Sequence, residues 1–114
     1  MDIEWVRRYC MKLPHTTEKV QWGADLVFKI AGKMYAVVAL EPAPVCMSFK
    51  CSPEDFAELT ERPGVIPAPY MARAQWVALE SQEALRAEET KRLLRKSYDL
   101  VRAKLPKKVQ AALE

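Results

Sequence analysis

The sequence predicts an α+β fold in two layers, an antiparallel sheet made of a three-stranded meander plus a further strand and flanked by helices. Two observations carry this. Between Asp25 and Cys51, three runs rich in β-branched and aromatic residues (26–30, 34–40 and 45–51) are separated only by Ala31-Gly32-Lys33 and Glu41-Pro42-Ala43-Pro44. Connections this short join antiparallel neighbours. On either side lie segments with apolar residues three or four apart, the spacing of a helix that buries one stripe. At 114 residues, half of them apolar, the chain is expected to form a single domain over 1–114 with a core that needs no disulfide or metal.

The elements follow in order. Asp2 can cap a helix running to about Leu13, where Pro14 stops it, with Ile3, Val6, Cys10 and Leu13 on the buried stripe. His15 to Gly23 lacks a clean period; Val20-Gln21-Trp22 is expected to form a short strand, and Trp22 to cover the edge of the core rather than contact a ligand. After the meander, Ser52-Pro53-Glu54-Asp55 is a helix start, with a capping hydroxyl, proline in the first turn and acids at the positive end of the dipole. The next helix carries Phe56 and Leu59 inward and ends before Pro63-Gly64. The proline-rich stretch 62–70 cannot be a regular helix or a central strand, and it sets Tyr70 at the end of a stiff loop. A fourth strand spans Gln75 to Leu79, and a long helix runs from about Ala87 to Leu105, where Pro106 interrupts it.

Alternation assigns the faces of the sheet. Leu26, Phe28, Ile30, Met34, Ala36, Val38, Leu40, Val45, Met47, Phe49 and Cys51 form the core-facing set. A strict two-residue turn at Ala31-Gly32 would set Phe28 opposite Tyr35 and mix the sets, so a three-residue loop or a bulge beside Gly32 is expected. The other face then carries Val27, Lys29, Tyr35, Val37, Ala39, Cys46, Ser48 and Lys50. If Val77 and Leu79 face the core, Trp76 joins Lys29, Tyr35 and Lys50; a slip of one residue would bury it instead.

Charge and cysteine content narrow the chemistry. The net charge is +3, and it is uneven: the last 24 residues hold Lys91, Arg92, Arg95, Lys96, Arg102, Lys104, Lys107 and Lys108 against only Asp99 and Glu114. A solvated helix with its charges in dipole order is the simpler reading of this run, and a phosphate-binding stripe along it the functional one. Cys10, Cys46 and Cys51 are odd in number, without Cys-x-x-Cys spacing, and point to a reducing compartment. Cys46, near Lys50 on the mixed face, is the thiol placed for a lowered pKa; a small buried apolar role is the default for all three. His15 has no local nucleophile partner, and no phosphate loop, zinc spacing or calcium loop occurs. No cofactor or catalytic activity is expected. Nor is a membrane partner, since no apolar run approaches the ~20 residues of a span; the expected location is the cytoplasm.

With these elements in place the chain resembles the MmcQ/YjbR family of small bacterial proteins. The resemblance rests on Trp22-Gly23, Leu26-Val27-Phe28-Lys29, Gly32-Lys33-Met34-Tyr35-Ala36, Ser48-Phe49-Lys50-Cys51, the block 63–70 and Trp76-Val77. It implies a two-layer fold with an antiparallel sheet, similar to secretion chaperones and CyaY-like proteins. It also implies DNA binding through a double-wing arrangement in which β-hairpins approach the duplex.

The mixed face of the sheet fits three kinds of partner. Nucleic acid is the principal expectation: Lys29, Lys33 and Lys50 on phosphates, Tyr35 and Trp76 stacking, and the Arg92 to Lys108 bases, Arg92, Arg95 and Lys96 among them, positioning the backbone. A small anionic ligand or a peptide could use the same face, walled by the proline-rich loop and Tyr70. A protein partner could cover it, as in secretion chaperones.

Overall fold

Four strands in sequence, rather than three, open the sheet. In the computed structural model, which describes residues 2–113, β1 (Thr16–Gln21), β2 (Asp25–Ile30), β3 (Lys33–Ala39) and β4 (Met47–Lys50) form an antiparallel meander. After helix α2 (Pro53–Leu59) come β5 (Val65–Pro67) and β6 (Trp76–Leu79), and β6 inserts between β4 and β5. The sheet order is β1-β2-β3-β4-β6-β5. Helices α1 (Ile3–Met11), α3 (Ala87–Ala103) and α4 (Lys107–Ala112) complete the chain, and α1 to α3 all pack on one face.

The caps read from the sequence are present. The Asp2 carboxylate accepts from the Trp5 amide at 2.8 Å, and the Ser52 hydroxyl accepts from the Asp55 amide at 3.1 Å. Proline at the first position of α2 removes an amide that would have no helical partner. The prolines of 63–69 are confined to the edge strand β5 and its flanks, where a missing ladder donor does least harm.

The expected bulge exists, but it sits at Tyr35 rather than beside Gly32. Ala31 and Gly32 make a two-residue turn, both with positive φ (49° and 81°), between the paired Ile30 and Lys33. Lys29 pairs with Met34 and Phe28 with Ala36, so Tyr35 is the extra residue of β3. This reverses its assignment. Tyr35 is fully buried on the helix side, its ring edge-on to Tyr98 with centroids 5.4 Å apart. Its hydroxyl donates to the Cys10 carbonyl at 3.3 Å and bonds the Thr16 hydroxyl at 2.9 Å. The Tyr98 hydroxyl donates to the Pro14 carbonyl at 2.6 Å, so two buried tyrosines join the α1–β1 corner to the sheet and to α3. His15 closes the same corner, its Nε2–H donating to the Leu113 carbonyl at 2.7 Å. Replacing Tyr35 by Phe is expected to lower stability by about 1–2 kcal/mol, because the hydrogen bonds to the Cys10 carbonyl and with the Thr16 hydroxyl are both lost while the carbonyl keeps the Leu13 amide; chemical denaturation followed by circular dichroism measures it.

Met34 and Val45 also change sides. Both pack with Val37, Ile66, Met71, Ala68, Trp76 and Ala78 in a second, smaller cluster on the helix-free face, while Cys46 packs against the main core. Leu40 lies beyond the end of β3 and is exposed. The main core otherwise joins Leu26, Phe28, Ile30, Ala36, Val38, Met47, Phe49, Val77 and Leu79 to the inner stripes of the helices. All four residues of β6 are buried, Val77 and Leu79 under the helices, Trp76 and Ala78 under the proline-rich loop.

Candidate functional site

The ion pairs among the described residues lie on the helical layer. On the helical side every ion pair involves a helix or its flank: Arg7 holds Glu18 through two 2.7 Å contacts, and Arg62 joins Glu58 and Glu89 at 2.6 and 2.7 Å. Arg92 lies 3.7 Å from Glu89, Arg95 3.2 Å from Asp99, and Lys96 2.8 Å from Asp55. Arg95 also lies over the Tyr98 ring. The three helix bases named from the sequence are therefore on the layer away from the open sheet face and already hold carboxylates. They do not join Lys29 and Lys50.

Among the described residues Arg8, Lys12, Lys91, Arg102, Lys107 and Lys108 of the helices and their caps form no ion pair, and the helix-free face holds a separate group of unpaired bases. Strand pairing sets Thr17 with Lys29, Lys19 with Val27, and Lys50 with Trp76, which places Lys19, Lys29 and Lys50 on this face. Among the described residues Lys19, Lys29, Lys33, Lys50 and Lys104 take part in no ion pair. Asp25, at the start of β2, is the one strand carboxylate beside them on this face.

Two hollows lie at opposite ends of the strands, with Met71 lining both. The first, about 270 Å³, has a floor of Val37, Ala39, Ser48 and Ala78, with Trp22 and Asp25 on one side and Pro69 and Tyr70 on the other. Trp22 is 64% exposed and Tyr70 fully so, each held by a backbone with positive φ (50° and 65°). Trp22 thus projects from the β1–β2 turn and does not cover the core. The second hollow, about 280 Å³, is lined by Lys33, Met34, Lys50, Trp76, Lys104, Leu105 and Pro106 among others. Lys50 Nζ donates to the Ala74 carbonyl at 2.7 Å, and burial, with the nearby Lys104 charge, holds its pKa below the usual lysine value.

The other candidates separate accordingly. Trp76 does point to the Lys50 side, yet it is only 4% exposed and serves as a wall, not a stacking platform. Tyr35 is absent from the face because of the bulge. Burial pushes the Cys46 thiol pKa up, with Glu83 adding to the effect, so the thiol is not activated by Lys50. Cys10 and Cys51 are pushed up to about 12, mainly by burial. From the sequence alone Lys19 and Asp25 have no role, Trp22 reads as a cover for the core edge, and Lys104 is named only as one of the basic run of the last helix. The parity of β1, once β1 is recognised, would have placed Lys19 beside Lys29.

Similarity to known proteins agrees with this fold. A crystal structure of a Deinococcus radiodurans protein, DR2400, described as a DUF419-domain protein, superposes with a TM-score of 0.84 at 31% identity, covering 95% of this chain and 84% of that one. A Pseudomonas syringae protein solved by crystallography and by solution NMR shares the fold at TM-scores of 0.73 and 0.70, with 24% and 25% identity. These cover 88% of this chain in both cases and 98% and 92% of theirs. A comparison with curated proteins finds no match. The YjbR family model matches residues 11–100, from the end of α1 through the meander, the proline-rich loop and most of α3, and the chain belongs to the YjbR family.

Proposed function

We propose that the chain binds nucleic acid, single-stranded DNA in the first instance, across its helix-free sheet face. The observation that carries the reading is the placement of bases beside rings: Lys19, Lys29 and Lys50 project from β1, β2 and β4 on the helix-free face, with Lys33 and Lys104 at its rim, and none of the five is in an ion pair among the described residues. Unpaired lysines bind phosphates by releasing counterions. Trp22 and Tyr70 supply the second requirement, exposed rings on which bases stack regardless of sequence. Asp25 and Ser48, in the trough between the rings, offer acceptors for the exocyclic amine of an unpaired base. A strand with splayed bases suits this arrangement better than a duplex, whose bases are stacked on one another and out of reach of the trough.

Trp22→Ala tests the trough. Loss of one base–aromatic stack is expected to weaken binding of a labelled oligothymidylate about tenfold, with little change in the dependence on salt. Anisotropy titrations that superpose on the wild type would remove the trough from the binding surface.

A further inference from the structure

The second hollow has a chemistry distinct from that of the open face. Three ammonium groups reach it from separate elements, Lys33 from the β2–β3 corner, Lys50 from β4 and Lys104 from the end of α3, and no carboxylate lines it. Its remaining wall is apolar, with Met34, Trp76 and Pro106 contributing. Like charges gathered without a counter-charge are unfavourable in the free protein, and Lys50 feels both its burial and the charge of Lys104. The Ala74 carbonyl fixes Lys50 by one of its three possible hydrogen bonds and leaves two for a ligand.

We infer that this cleft binds a small amphipathic anion, a phosphate or carboxylate among Lys33, Lys50 and Lys104 with a single flat apolar ring against Met34, Trp76 and Pro106. Its volume, about 280 Å³, lies at the lower end of the ~300–1,000 Å³ typical of ligand pockets, which fits a one-ring body. Apolar walls with a few converging polar groups are what separates such a site from a surface that only attracts phosphate. Lys33, Lys50 and Lys104 are shared with the proposed strand surface, but Trp22, Tyr70 and Lys29 lie outside the cleft, so a small anion can bind there whether or not a strand does.

The test is an NMR titration of the full chain with phenyl phosphate, alongside phenol and inorganic phosphate. Saturable shifts are expected at the Trp76 indole and at the Met34 and Lys104 amides, with phenyl phosphate binding about tenfold more tightly than either fragment. Lys104→Met and Lys33→Met, both at exposed positions, are each expected to weaken it several-fold without moving the melting temperature. Equal binding of phenol and phenyl phosphate, shifts spread without saturation over all exposed lysines, or indifference to both substitutions would overturn the inference. Oligonucleotide binding by the unsubstituted chain separates the two readings: no saturable phenyl phosphate binding while the strand binds sinks the cleft alone, and the reverse sinks the strand.

Discussion

Replacing Ser97 by alanine is expected to lower the free energy of unfolding by about 2–4 kcal/mol, a large effect for one oxygen atom. The bulge at Tyr35 is the cause. Pairing of β3 with β4 runs through Val38–Met47, Val37–Ser48 and Ala36–Phe49, and Tyr35 and Lys50 would come next. The Ser97 hydroxyl, fully buried on α3, bridges them instead: it donates to the Tyr35 carbonyl at 2.6 Å and accepts from the Lys50 amide at 3.0 Å. Alanine leaves two backbone groups without partners, and each such group costs about 1–3 kcal/mol when buried. Ser48→Ala, at a half-buried serine of the open face with no such bridge, should stay within about 0.5 kcal/mol. A loss at Ser97 no larger than that of Ser48, measured by urea denaturation, would mean that the hydroxyl is readily replaced by water.

The second large effect concerns binding. Removing Lys19, Lys29 and Lys50 together, as alanines, is expected to reduce the slope of log affinity against log salt by about 2, since each phosphate contact on a single strand contributes about 0.7. At low salt that corresponds to a loss of roughly two orders of magnitude in affinity. The matched triple variant, Arg92, Arg95 and Lys96 to alanine, is expected to leave the slope unchanged. Those side chains lie on the other layer and already face Glu89, Asp99 and Asp55. If the helix triple flattens the slope and the sheet triple does not, the binding surface has been placed on the wrong layer.

How far the sequence could be read turns on particular residues. Period-two alternation correctly paired Leu26, Phe28 and Ile30 with Ala36, Val38, Met47 and Phe49, because each of these strands has one face pressed against helices. It failed at Tyr35 because a single extra residue reverses every assignment between the bulge and the turn. That is why Met34 emerged on the open face and Tyr35 in the core. The need for a bulge was legible; its position was not, since Tyr35 can satisfy its hydroxyl only through Thr16 and Cys10, which are distant in sequence. β1 went unrecognised beyond Val20-Gln21 because an edge strand of Thr, Glu, Lys and Gln has no apolar alternation to show. Missing it meant missing Lys19 and the exposed turn that carries Trp22. The basic run of the last helix was plain in the sequence, but its pairing with Asp55, a residue of α2, is a product of tertiary packing.

The measurement that bears most directly on the open face as a nucleic-acid surface is fluorescence anisotropy of a labelled single strand, with a duplex alongside, titrated with the wild-type chain at two salt concentrations. The account predicts saturable binding of the single strand that weakens with salt by a log–log slope of about 2–3.5, the range for three to five lysine–phosphate contacts. Absence of binding at the lower salt, or binding indifferent to salt, would contradict it and leave the small-anion cleft as the feature to pursue.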